Sequence, residues 1–370
     1  MRFFHSLASM FRNGYILSWR EDMVWFVALP FLAFAAAHGC KIWLPAVAVA
    51  SVTLWITVPH QFATWIRAYG FRDEFSQWKD RLLVGPIVIF GMSLLGLKYA
   101  PLTTFLLVTL WDHQHSLMQQ YGFSRIYDFK GRSGAPSTGR FDLLLNWVLF
   151  IHLIVTAPLF TELWVREAYN WGIEIGKSGV ETVHFVSWMM VTVYGAIYVY
   201  HVVKSLWNGY PVNPQKYIFL FASYFLWYSL AWQTNSFLVY AIGSKLMHGI
   251  QYIVIVFWYI RRKVERTQVR TGLLASVTRP GNVKGFILLS LCYAAVFNMV
   301  VGRGLEEFGF GVVNFTVPYD NIAELGLRSM TYVAGFDLYS AALIQSMGLI
   351  HYYFDSFIWK VRDVNIQKGL

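Results

Sequence analysis

The sequence has little charge and little cysteine. Only 14% of its 370 residues are charged, whereas an ordinary soluble domain carries about a quarter. The two cysteines, Cys40 and Cys292, both fall in apolar segments, which excludes a disulfide framework and a thiolate metal cluster. P-loop, GxGxxG, GxSxG and CxxC motifs are also missing, so the sequence does not indicate nucleotide hydrolysis or Rossmann-type cofactor binding.

Hydrophobic residues make up most of the chain. They account for 56% of it, aromatic residues for 18%, and the mean hydropathy is +0.45. Apolar stretches of about 20 residues recur along the chain, each long enough to cross a bilayer as a helix. They do not alternate as the strands of a membrane β-barrel do. The sequence therefore predicts an all-α polytopic transmembrane bundle of about ten spans, at 22–40, 42–60, 82–98, 100–118, 142–165, 181–203, 217–232, 236–260, 285–302 and 333–359.

The net charge of +10 is concentrated in alternate loops. Arginine and lysine gather in 1–20, 61–81, 119–141, 204–216, 261–284 and 360–370, and the loops between them are short or acidic. By the positive-inside rule, the basic segments and both termini face the cytoplasm. We expect a bacterial inner-membrane protein whose basic residues contact anionic lipids, with no role for nucleic acid.

The predicted spans leave no room for a soluble domain. The longest loops, about 261–284 and 303–332, are too short to bury a core of their own. We predict an amphipathic interfacial segment at 1–20, which the spacing of its apolar residues predicts to be a helix, one transmembrane domain at 21–360 and a cytoplasmic tail at 361–370.

Histidines near the cytoplasmic ends of the even-numbered spans are the candidate functional residues. Ionisable groups at membrane depth are expensive and tend to serve chemistry, ion passage or pairing. His351 has Asp355 four residues later, on the same helix face. We predict a metal site, and because imidazole and carboxylate without thiolate suit iron, one or two non-haem iron ions are expected; another transition metal or haem is the alternative. The predicted ligands are His60, His113, His248, His351 and Asp355, and the alternative role for Asp355 is to orient His351.

Further polar residues share these helix faces. A metal-bound imidazole needs an acceptor for its other N–H group, and several residues lie three or four positions from a histidine or join the cluster. The second-shell or alternate ligands are predicted to be Asp112, His115, Gln119, His201 and Gln251. His152, in the middle of a span without a polar neighbour, is interpreted as a packing residue.

Lys245 argues against a metal site. It precedes His248 by three residues, so its ammonium lies on the same helix face and would repel a metal ion. It needs a buried partner, for which Asp337 and Glu162 are the candidates. A proton-coupled transporter would use such a pair together with His248.

The motifs and the placement of the histidines suggest three resemblances. His248-Gly-Ile-Gln251-Tyr252 and His351-Tyr-Tyr-Phe-Asp355 resemble the HxxQY and HYYxD motifs of a group of bacterial polytopic membrane proteins. Together with Val58-Pro59-His60 and Asp112-His113, they also distantly resemble the Brp/Blh-like carotenoid-cleaving oxygenases. That resemblance implies a non-haem iron held by histidines from several spans. Membrane desaturases and hydroxylases are similar in placing His-rich iron sites at the cytoplasmic face, although their HxxHH motif is missing here.

The sequence thus favours a membrane-bound metal-dependent oxidoreductase, a non-haem iron oxygenase that acts on a lipophilic substrate with electrons from a donor protein. A haem-binding electron-transfer subunit using His60 and His201, an acyltransferase using His248-Gly249, and a structural subunit of a larger complex remain alternatives.

Overall fold

A computed structural model describes residues 10–267, 276–279, 282–301 and 336–359. These residues are helical with short connections, and a single isolated bridge, Phe11 to Val212, is the nearest approach to a strand among them. The prediction of an all-α fold is therefore confirmed.

Eleven helices are present in the described residues. The first contains one π-helical stretch, Met23–Ala28. In chain order the helices are α1 Trp19–Trp43, α2 Ala46–Gly70, α3 Arg72–Tyr99, α4 Pro101–Gly131, α5 Thr138–Thr156, α6 Pro158–Asn170, α7 Lys177–Trp207, α8 Pro214–Gln233, α9 Phe237–Thr267, α10 Val283–Val301 and α11 Phe336–Ile358.

Five of these helices are long and apolar enough to cross a membrane, namely α1, α3, α5, α7 and α9. Their burial differs widely. In the most apolar window of α3 only 17% of residues are buried, whereas in α9 the share is 72%. Apolar side chains that face outward on α3 suit a lipid environment, and α9 is a core helix.

The predicted span 142–165 is wrong as a single helix. The structure ends α5 at Thr156, gives Ala157 an extended backbone and starts α6 at Pro158. Proline has no N–H to donate and suits the first turn of a helix, where that donor is not needed. The local sequence therefore makes a break where hydropathy alone indicates continuity.

The amino-terminal segment also differs from the helix expected for residues 1–20. Residues 1–9 lie outside the described residues, and residues 11–18 are not helical. Arg12 donates its backbone N–H to the carbonyl of Val212, 2.9 Å away, and Asn213 donates its side-chain amide to the carbonyl of Gly14 at 2.9 Å. Hydrogen bonds with residues 212–213 hold the segment in this non-helical conformation. The predicted tail at 361–370 lies outside the described residues.

The chain divides into two compact units. The first comprises Met1–Phe34 and His113–Asn235, and the second comprises Ala35–Asp112 and Ser236–Leu370. In the first unit, α5 packs against α7 and α6, and α8 packs against α6 and the π-helical part of α1. In the second unit, α2 is the common partner of α9, α10 and α11, and α11 also packs along α3.

A buried ionic cluster links three helices of the first unit. Lys216, 1% exposed, donates to Asp128 at 3.0 Å and to Asp142 at 3.1 Å. Arg125 also contacts both carboxylates, and Tyr198 donates to Asp142 at 2.7 Å. Burial raises the pKa of the Asp128 carboxyl, whereas burial of Lys216 is outweighed by the two carboxylates, so the pKa of its ammonium is raised. Lys216 therefore stays charged and holds the two acids together.

Candidate metal centre

Three histidines meet in the second unit, each from a different helix. His60 lies on α2, His248 on α9 and His351 on α11. The ring centroid of His60 is 5.2 Å from that of His248 and 4.7 Å from that of His351, and the third pair is 6.2 Å apart. All three residues are 0% exposed. Because every ring is buried, the cluster has the character of an interior site.

The nitrogens of this triad are close enough for a shared ion. One ring nitrogen from each histidine lies within 4.8 Å of the others. With metal–nitrogen bonds of about 2.0–2.1 Å, tetrahedral ligands are separated by about 3.4 Å. The rings therefore need to approach one another by no more than about 1.5 Å to hold a metal ion.

The ring nitrogens of His60 are buried with unused hydrogen-bonding capacity. Its ring contacts the backbone carbonyls of Ile56 and Thr57 on its own helix. Neither ring nitrogen, however, reaches a hydrogen-bond partner of good geometry among the described residues. Leaving buried polar atoms without partners costs about 1–3 kcal/mol each, and a bound ion would remove that cost for the ligating nitrogen.

Close packing of α9 on α2 brings His60 and His248 together. A Cβ placed on Gly249 would lie 3.4 Å from both Cβ and Nδ1 of His60. A glycine or an alanine is thus accommodated here, whereas a longer side chain would occupy the space of the imidazole ring.

A second layer of polar side chains lies one helical turn after the triad. Thr64, Tyr252 and Asp355 each follow one of the three histidines by four residues, and in an α-helix that spacing puts both side chains on one face. Thr64 Oγ1 lies 2.6 Å from His351 Nδ1 and 2.7 Å from Tyr252 Oη. Tyr252 donates to Asp355 at 2.7 Å and accepts from the indole of Trp359 at 3.2 Å.

Asp355 lies outside the group of three imidazoles. Its Oδ2 is 3.9 Å from Nδ1 of His351, and its other oxygen accepts from Tyr252. A distance of 3.9 Å is too long for a direct hydrogen bond to His351, and the hydrogen bond that ties Asp355 to the second layer is the one from Tyr252.

Lys245 has a partner that the sequence did not reveal. Its ammonium donates to Asp112 and, at 3.2 Å, to the hydroxyl of Tyr352. Tyr352 in turn donates to the same Asp112 oxygen at 2.6 Å. The side chain of Asp337 is outside what the structure describes, and the part predicted for it here is taken by Asp112.

Two of the other predicted site residues, His113 and His201, have aromatic neighbours. In the first unit, His113 packs its ring on Phe160 and Trp227 at 4.8 and 5.6 Å. His201 stacks on Phe141 at 3.8 Å and bonds Thr138 at 3.1 Å. Their part in metal binding stays a prediction, as do those of His115 and Gln119, which lie on α4 in the same unit. Gln251, fully buried on α9, is three residues after His248.

Thr64 and Tyr252 were missed from the sequence. The spacing that identified Asp355 applies equally to these two residues, since each lies four positions after a candidate ligand. Both residues are neutral, so a search for ionisable groups at membrane depth does not identify them.

Comparisons with protein families, with curated proteins and with solved structures find no match for this chain. The resemblance to carotenoid-cleaving oxygenases therefore remains an expectation that rests on the short motifs alone.

Proposed function

We propose that the protein is an integral membrane metalloprotein whose centre is His60, His248 and His351. The observation that carries the proposal is the meeting of three fully buried imidazoles from three helices, with one nitrogen of each within 4.8 Å of the others. Imidazole nitrogens are ligands for iron, zinc, copper and nickel. Three protein ligands also leave at least one coordination position for a substrate.

We propose that more helices cross the membrane than the five apolar ones. About ten membrane spans with both termini cytoplasmic, in a bacterial inner membrane, follow from the alternation of basic and acidic loops. Helices such as α2 and α11, which carry His60 and His351, would then cross the membrane within the bundle interior. Polar side chains at membrane depth face such interiors.

We assign the centre to oxidation of a lipophilic substrate, with non-haem iron as the expected metal and an electron-donor protein as partner. A bound redox metal would supply the activation of oxygen. The chain itself would hold the metal on three neutral imidazoles, orient His351 through Thr64, and exclude water by complete burial of the rings. A lipophilic substrate suits this burial because it can enter from the bilayer.

A second candidate function is proton-coupled transport. The ion pair of Lys245 and Asp112, only 10% and 21% exposed and bonded to Tyr352, supports it. Paired charges at membrane depth mark proton and ion pathways in carriers. In that case the histidines of the triad would serve as proton-accepting groups and no stoichiometric metal would be present.

Metal analysis of the detergent-purified protein tests the proposal. We expect about one transition-metal ion per chain, as measured by elemental analysis, and its loss in His351→Ala. His152→Ala is the matched control, because His152 is equally buried but lies in the other unit, bonded to Ser187 at 3.1 Å.

The possible results separate the rival functions. Stoichiometric metal that survives His152→Ala and is lost in His351→Ala supports the centre, and oxygen consumption with added lipophilic compounds then tests oxidation. A Soret band in the absorption spectrum would indicate haem instead. A metal-free wild-type protein at normal yield would refute the metalloprotein and make flux measurements in vesicles the next step.

A further inference from the structure

The contacts of the second layer have a defined donor direction. An ionised carboxylate only accepts hydrogen bonds, so with Asp355 ionised the phenol of Tyr252 donates its one proton to it, 2.7 Å away. The hydroxyl of Thr64, 2.7 Å from Tyr252 Oη, must then donate to Tyr252. Thr64 Oγ1 is left to accept from His351, whose Nδ1 lies 2.6 Å away. The proton of neutral His351 is therefore on Nδ1.

We propose that Thr64 is a positioning residue that holds His351 as the Nδ1–H tautomer and so presents Nε2 to the metal. The inference deepens the proposed function and rests on it for the identity of the ligand. It assigns to Thr64 and Tyr252 a role in metal binding although neither side chain contacts the metal.

The three-helix arrangement explains why a threonine is used. Asp355 Oδ2 is 3.9 Å from His351 Nδ1, too far for a direct hydrogen bond. Thr64, which extends from α2, occupies the position next to His351 and is itself held by Tyr252 from α9. The helix that carries each histidine thus also carries one member of the layer that orients His351, and movement of any one helix would disturb the orientation.

Thr64→Val is the decisive variant. Valine has nearly the same shape but cannot accept the Nδ1–H, so the preference for one tautomer is lost and metal affinity falls. Loss of a partner that orients a metal ligand typically lowers affinity about 10–100-fold. Thr64→Ser keeps the hydroxyl and should retain most of the affinity. Tyr252→Phe should have a smaller effect than Thr64→Val, because Thr64 can still accept from His351.

Thr57→Val on the same helix is the matched control. Thr57 precedes His60 by three residues, and its buried hydroxyl has no hydrogen-bond partner among the described residues. This substitution also replaces a threonine hydroxyl by a methyl group within one turn of His60, but it changes no hydrogen bond among Thr64, Tyr252 and Asp355. Metal affinity should stay within about twofold of wild type, since no partner of a metal ligand is lost.

The tautomer is measured directly on the metal-free protein by 15N NMR with labelled histidine, and the signal of His351 is identified by its loss in His351→Ala. We expect protonated Nδ1 and unprotonated Nε2 in wild type and in Thr57→Val, and loss of that preference in Thr64→Val. Protonation of Nε2 in wild type, or an unchanged tautomer in Thr64→Val, would overturn the inference. Failure of the proposed function is distinguishable, because it appears as absence of metal in a wild-type protein whose tautomer is still measurable.

Discussion

Removing the Lys216 ammonium should destabilise the protein strongly. Lys216 bridges Asp128 and Asp142, and the three side chains are only 1%, 2% and 1% exposed. In Lys216→Met the two carboxylates keep one cation, Arg125, which is itself 28% exposed. One buried negative charge is then uncompensated. Breaking a buried pair from one side costs about 3–5 kcal/mol, because the remaining charge is left without a partner.

The expected effect is a clear fall in the midpoint of thermal unfolding. With an unfolding entropy of about 2.1 cal/mol/K per residue, each kcal/mol lowers the midpoint of a 370-residue chain by about 1.3 °C, so Lys216→Met should lower it by about 4–6 °C. Lys177→Met is the matched control, because Lys177 pairs with Glu181 at 3.8 Å while 92% of its side chain is exposed. Exposed pairs contribute little, and this midpoint should hardly move.

Scanning calorimetry or fluorescence in one detergent at one scan rate provides the comparison, since unfolding of membrane proteins is often irreversible. A second substitution sharpens it. Adding Asp142→Asn to Lys216→Met removes one carboxylate charge and should recover part of the loss. The reasoning is refuted if Lys216→Met lowers the midpoint no more than Lys177→Met, or if the double variant is less stable than the single one.

Two further predictions concern the metal centre. Gly249→Ala should keep metal binding, because its Cβ would lie 3.4 Å from the Cβ of His60, whereas Gly249→Leu should displace the His60 ring and abolish binding. The metal content of both purified variants tests this prediction, and equal metal content would contradict it. Lys245→Met should tighten metal binding and Asp112→Asn should weaken it, by Coulomb's law, because each removes one charge of a bonded pair beside the triad. Chelator competition measures both affinities, and shifts of the same sign would contradict the assignment of these charges.

Hydropathy allowed the all-α fold to be predicted, because apolar runs of about 20 residues that do not alternate with polar residues cross a membrane as helices and not as barrel strands. The same signal could not find the break at Pro158, since the residues on both sides of it are apolar and only the backbone chemistry of proline ends the helix there. Nor could it divide the chain into two units. That division depends on which helices pack together, and α4 contributes residues to both units.

The candidate site shows a similar pattern. Depth along the helices predicted that His60, His248 and His351 could meet, and the structure brings them together. Depth could not tell what surrounds each of the other histidines, because depth fixes the height of a side chain and not its direction around the bundle. His113, at a comparable predicted height, faces Phe160 and Trp227 in the first unit. The partner of each helix, and thus the direction of each side chain, is set by packing between distant parts of the sequence.

Lys245 was the strongest sequence argument against a metal, and its surroundings weaken that argument. A lone ammonium one turn from His248 would repel a cation, but Asp112 bonds the ammonium and Tyr352 bonds both. The pair adds no net charge beside the triad, so what reaches the histidines is the field of a dipole, which falls off faster with distance than that of a single charge. The arrangement needs both partners, because either charge alone at 10–21% exposure would be costly to bury. A metal ion on three neutral imidazoles is therefore compatible with the lysine that at first appeared to forbid it.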